Sequence, residues 1–144
     1  MRKFTSPFIL TIAAVLLSAC APSSGVLTIN ETWARPASKG ENGAVYFVIE
    51  NGTDVDDALV SASTEIASTA EAHMSMVSDQ GVASMQMQEA VQVPAGDSVT
   101  FKPGGLHIML VGLKQDLTVG DTFTLILQFK KAGEITVQVE VREQ

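Results

Sequence analysis

The stretches "TFTLILQF" (122–129) and "EITVQVEV" (134–141) limit the fold more than any other part of this chain. In the second, Ile135, Val137, Val139 and Val141 alternate with Thr136, Gln138 and Glu140; in the first, Phe123, Leu125, Leu127 and Phe129 alternate with Thr122, Thr124, Ile126 and Gln128. A period of two sends the two sets to opposite faces, so each stretch reads as a strand, half buried in the second case. The intervening "KKAGE" predicts that they pair as a hairpin. No long segment keeps a helical period. The remaining candidate strands are "VLTIN", "AVYFVIEN", "DALVSAS", "IASTAEAHM", "VASMQMQEAVQV", "SVTFK" and "LHIMLVGL". Turn signals such as "NGTD", "PAGD", "KPGG" and "VGD" separate many of them. Many short strands in one domain predict an all-β fold, an antiparallel Greek-key sandwich or barrel.

Such a domain must hold together by packing, because the chain has one cysteine and therefore no internal disulfide. That residue, Cys20, ends "MRKFTSPFILTIAAVLLSAC": two cations, an apolar run from Phe8 to Leu17, then small residues. The pattern is a secretory signal too short to span as a membrane helix, and "LSAC" resembles the bacterial lipobox, in which the cysteine is lipidated. The expected organisation is a signal peptide over 1–19, a lipidated Cys20 with a short tether to residue 25, and a single β domain over 26–144. Localisation follows as extracytoplasmic, periplasmic in a Gram-negative cell, anchored to a membrane by lipid. Without the first 19 residues, seven basic side chains face sixteen acidic ones, a net charge of about −9. An acidic chain without a basic cluster is not built for nucleic acid.

The two histidines and all the methionines after Met1 fall in one window, His73 to Met109. In "LHIMLVGL" the period of two turns Leu106, Ile108 and Leu110 to one face and His107 and Met109 to the other. Two imidazoles and several thioethers without a thiolate form a soft donor set suited to Cu(I). Thioether sulfur carries no proton near neutral pH, whereas imidazole must be deprotonated to bind. Zinc would favour thiolate, imidazole and carboxylate, and Ca²⁺ or Mg²⁺ would need an oxygen-rich loop that the sequence lacks. Taken singly, these residues have plainer readings. Met85 and Met87 read as core filler, and His107 reads equally as a hydrogen-bonded structural residue. Met76 and Met87 read as supporting shell or packing, and Trp33 as packing at a strand end.

The spacing carries more information than its members. Ten residues separate Met74 from Met85, twenty-one separate Met85 from His107, and one separates His107 from Met109, with His73 directly before Met74. This closely resembles H(M)-x10-M-x21-H-x-M, the signature of the PCuAC family of bacterial periplasmic copper chaperones, over roughly residues 26–142. The resemblance implies a cupredoxin-like β-barrel or sandwich, and one Cu(I) held by His and Met side chains. It also implies delivery to a partner, the dinuclear copper centre of a cytochrome c oxidase subunit or another copper carrier. Carried over by position, Met85, His107 and Met109 fill three ligand places. The first place falls on His73 or Met74, which point to opposite faces of a regular strand; His73 is favoured, while the ten-residue interval runs from Met74. A blue-copper electron-transfer site would need a cysteine ligand, and Cys20 is at the anchor.

Three other readings compete. A copper-scavenging or tolerance lipoprotein would use the same site without an oxidase partner. A structural envelope lipoprotein would keep its methionines in the core. An enzyme is disfavoured, because the sequence offers no recognisable Ser/His/Asp context, paired-acid motif or phosphate-cradling loop.

Overall fold

A computed structural model describes residues 25–144; the expected signal peptide, Cys20 and nearly all of the tether lie outside the described residues. Ten strands form one sheet. β1 (Leu27–Ala34) pairs antiparallel with β2 (Gly43–Asn51), and β2 is followed by β3 (Asp57–Ser63) and β4 (Ala67–Val77). Next come β5 (Ala83–Met87), β6 (Val91–Val93) and β7 (Ser98–Phe101). The chain finishes with β8 (Leu106–Leu113), β9 (Thr122–Phe129) and β10 (Gly133–Val141). The order β4-β8-β2-β1-β10-β9-β3 returns to β4 and closes a seven-stranded barrel, with β5 on the outer edge of β4, β6 on β3, and β7 on β2. Closure is thin: β3 meets β4 at the single pair Ala62↔Ala70.

The alternation read from the sequence is the alternation of the barrel wall. Val45, Phe47, Ile49, Ile108, Leu110, Leu125, Leu127, Phe129, Val139 and Val141 are buried in one core, with Phe47 stacked on Phe101 at 4.4 Å. β9 and β10 pair across the expected hairpin from Gly133↔Phe129 to Glu140↔Thr122. Asp57, 6% exposed, pins that hairpin to β3, accepting from the backbone N–H of Ala58, Lys131 and Ala132 at 2.7–2.8 Å.

Two features depart from the expected strands. "VASMQMQEAVQV" is two strands rather than one: Ala83–Met87 lies along β4 and Val91–Val93 along β3. The chain between them crosses the seam where β3 and β4 part. β1 runs on past "VLTIN" to Ala34 through a bulge, where Glu31 takes a φ of 54° and the pairing with β2 slips between Asn30 and Trp33. That slip sets Trp33 opposite Tyr46.

Candidate metal centre

Cross-strand register decides which side chains can meet, because directly opposed residues share a face. Across β4 and β8 the pairs are Glu71↔Met109, Ala72↔Ile108, His73↔His107 and Met74↔Leu106. Ile108 is fully buried in the barrel core, so Ala72 and Met74 stand on the inner face and Glu71, His73, His107 and Met109 on the outer one. The β5 pairs Ser75↔Met85 and His73↔Met87 extend the outer face by two more thioethers.

A cleft on this outer face is lined by Met85, His107 and Met109, with Ala44, Tyr46 and Ser75 beside them. The His73 and His107 rings lie 6.0 Å apart, centroid to centroid. Four of the five metal-site residues expected from the sequence therefore come together. Met74 does not join them: it faces away, opposite Leu106 and Gln86. β4 is regular there, so adjacent residues cannot share a face.

Each imidazole is oriented by an acceptor. Nδ1 of His107 lies 3.0 Å from the carbonyl oxygen of Gly105, which can only accept, so Nδ1 carries the proton and Nε2 the lone pair. The same carbonyl accepts from the Ser75 N–H at 3.1 Å, tying the turn before β8 to β4. Gly104, with a φ of 78°, lets that "KPGG" turn close. Nε2 of His73 donates to the Glu71 carboxylate at 3.1 Å, which leaves the lone pair on Nδ1. That Nδ1 is buried and has no hydrogen-bond partner. A buried unpaired acceptor costs free energy, about 1–3 kcal/mol in general, unless something binds it.

The surroundings limit what that could be. Among the described residues no three His, Cys, Asp or Glu side chains converge to hold an ion, and the soft donors beside the two imidazoles are thioethers. The methionines are available for it: Met85 is 60% exposed and Met87 55%. This corrects the reading of both as core filler, and with it that of an envelope protein whose methionines are all in the core. The edge strand β5 has no layer packed over it, and all five of its residues are exposed.

Tyr46 forms the floor beside His107, at 6.5 Å between centroids, and is itself covered by Trp33 at 4.7 Å and by the Arg35 guanidinium at 5.7 Å. Burial raises the Tyr46 phenol above its ordinary pKa, against a smaller opposing pull from Arg35. Sequence reasoning missed Glu71 and Tyr46. Glu71 was within reach of it, lying two residues before His73 and hence on the same strand face; Tyr46 was not, since nothing local pairs β2 with β8.

Residues 27–141 match the family model described as "Putative lipoprotein LpqE-like". The chain belongs to this LpqE-like family. Among its relatives, the LpqE-like chain is 28% identical over 138 residues to a protein of Leifsonia xyli subsp. xyli named "Putative lipoprotein Lxx21020", covering 93% of this chain and 82% of the relative. Its fold is that of PCuAC domains. The copper-bound PCuAC domain of PmoF2 superposes with a TM-score of 0.69 at 26% identity, covering 83% of this chain and 95% of that domain. The Cu(I) form of DR1885 from Deinococcus radiodurans gives 0.61 at 28% identity, covering 84% and 83%. The expected all-β, cupredoxin-like single domain and the resemblance to the PCuAC family are thus both borne out.

Proposed function

We propose that this protein is a cell-envelope copper chaperone that carries one Cu(I) on the outer face of its barrel, held by His73, Met85, His107 and Met109. The observation that carries this reading is the buried, unpartnered Nδ1 of His73, 6.0 Å ring to ring from a second imidazole and bordered by exposed thioethers. Two imidazoles and two thioethers make a neutral, soft set that favours Cu(I) over Cu(II). The copper-bound PmoF2 domain and the Cu(I) form of DR1885 support the choice of metal.

Carriage requires release as well as capture. Met85 sits on an exposed edge strand, so an incoming ligand can replace this thioether first and take the metal stepwise. The cargo leaves chemically unchanged, which makes the protein a carrier and not a catalyst. The acceptor is the dinuclear copper centre of a cytochrome c oxidase subunit, as the family resemblance implies. Lipidation of Cys20, after removal of residues 1–19, holds the domain at the periplasmic membrane surface and raises its effective concentration near such an acceptor. The LpqE-like relatives named as lipoproteins support that anchor.

The test is an anaerobic competition titration against a chromogenic Cu(I) chelator. One tightly held equivalent is expected, weakened at least about tenfold, or about 1.4 kcal/mol, by His107→Ala and by Met109→Ala. Binding indifferent to both substitutions would overturn the assignment. Mixing the loaded protein with the soluble copper domain of an oxidase then separates delivery, in which copper moves across, from scavenging, in which it stays.

A further inference from the structure

The rim of the copper cleft is uneven in a way that holding an ion does not require. On the β5 side it is apolar: Val77, Met85 and Met87, which share the outer face, are 55–71% exposed, and β5 carries no charge. On the opposite side, Arg35 lies over Tyr46 at 5.7 Å and Arg142 over Trp33 at 5.2 Å. These are the two arginines of residues 20–144; the other five cations there are lysines, and none stacks on this aromatic pair.

Sixteen acidic residues surround so few cations, yet among the described residues neither guanidinium has a carboxylate within 4 Å. Glu140 stands opposite Trp33 on the same outer face and still pairs with neither. Both arginines are exposed, and Arg35 makes its side-chain contact with the neutral amide of Gln144. Their planar forks are thus held on aromatic faces with donors to spare, in the geometry that binds one carboxylate through two parallel N–H···O bonds.

We propose that this rim is the docking surface for a protein partner whose own copper site is bordered by carboxylates. Those carboxylates would lie on Arg35 and Arg142, and an apolar patch of the partner on Val77, Met85 and Met87. The inference rests on the copper reading of the cleft and adds the partner's chemistry to it. Trp, Tyr, Arg and Met are the side chains that interfaces enrich, and the first three carry most of the binding energy where they anchor a contact. Net charge argues the other way, since a chain this acidic attracts basic partners at long range. An acidic partner is therefore favoured only when it meets the face that carries both arginines, so the local charge also fixes orientation over the cleft.

Two synthetic peptides with the same Met/His copper-binding centre, one flanked by glutamates and one by lysines, test this by NMR on the ¹⁵N-labelled full chain in detergent, without copper. The glutamate peptide is expected to shift the Arg35 and Arg142 side-chain N–H signals and the Trp33 indole. It should bind more tightly than the lysine peptide, and weaken as salt rises from about 20 to about 300 mM. Arg142→Gln should weaken that binding several-fold while leaving the Cu(I) affinity of the chain unchanged. Tighter binding of the lysine peptide would overturn the proposal, as would shifts produced by phosphatidylglycerol vesicles and by neither peptide. A chain that docks the glutamate peptide but holds no Cu(I) in the chelator competition would keep the surface and refute the copper reading instead.

Discussion

His73 is held by one partner and lacks another. Glu71 takes the proton-bearing Nε2 at 3.1 Å and leaves Nδ1 buried with its lone pair unused. Acceptors of this kind commonly fix the tautomer of a metal-binding histidine, and losing one typically costs about 10–100-fold in metal affinity. Glu71→Ala is therefore expected to weaken Cu(I) binding within that range, with Glu71→Gln retaining part of it through its carbonyl. Met74→Ala, on the inner face, is expected to leave the affinity unchanged in the same chelator competition. Spacing alone could not separate His73 from Met74, because the ten-residue interval counts from Met74 whereas the face is set by register with β8. One pairing, His73↔His107, puts His73 on the face that carries His107 and Met109.

Asp57 shows the same contest at a structural position. Burial alone pushes its carboxyl pKa up, but the N–H donors of Lys131, Ala132 and Ala58, with the Lys131 charge, outweigh burial and hold it below the usual carboxylate range. A folded-state pKa below the unfolded value means that its contribution is complete above about pH 4 and is lost as pH falls through the folded value. Asp57→Asn should cost about 1–3 kcal/mol at neutral pH and flatten the acid limb of stability against pH, read by denaturant melts at several pH values.

At the scale of elements, β5 separates the two readings of its methionines. Were Met85 core, Met85→Ser would cost several kcal/mol; exposed on an edge, it should cost no more than about 0.5 kcal/mol in urea unfolding while weakening Cu(I) binding. In β8, Gly112 combines a φ of 63° with a would-be Cβ only 3.1 Å from the Ser68 hydroxyl. Gly112→Ala is expected to destabilise the protein by about 1–3 kcal/mol in the same measurement. The strands themselves were largely legible: "LHIMLVGL" and "TFTLILQF" are β8 and β9 residue for residue, because alternation and turn residues are local signals. The division of 83–93 into β5 and β6 was not legible, since it depends on two strands, β4 and β3, that are distant partners of that segment.

For the whole molecule, the barrel acts as a frame that brings three separate segments, around His73, Met85 and His107, to one outer face. Their composition and spacing pointed to soft-metal chemistry, but the ring orientations did not follow from sequence: they depend on a carbonyl at Gly105 and a carboxylate at Glu71. The arginine and aromatic rim was also hidden, because Arg35 and Arg142 lie at opposite ends of the domain sequence and meet Tyr46 and Trp33 only once β1, β2 and β10 are assembled. Copper K-edge X-ray absorption on the protein loaded with one equivalent of Cu(I) reads the ligand set directly. A mixed shell of imidazole nitrogen and thioether sulfur is expected, losing sulfur in Met109→Ala and nitrogen in His73→Ala; a shell of nitrogen and oxygen alone, or one unchanged by both substitutions, would contradict a His/Met copper site on this face.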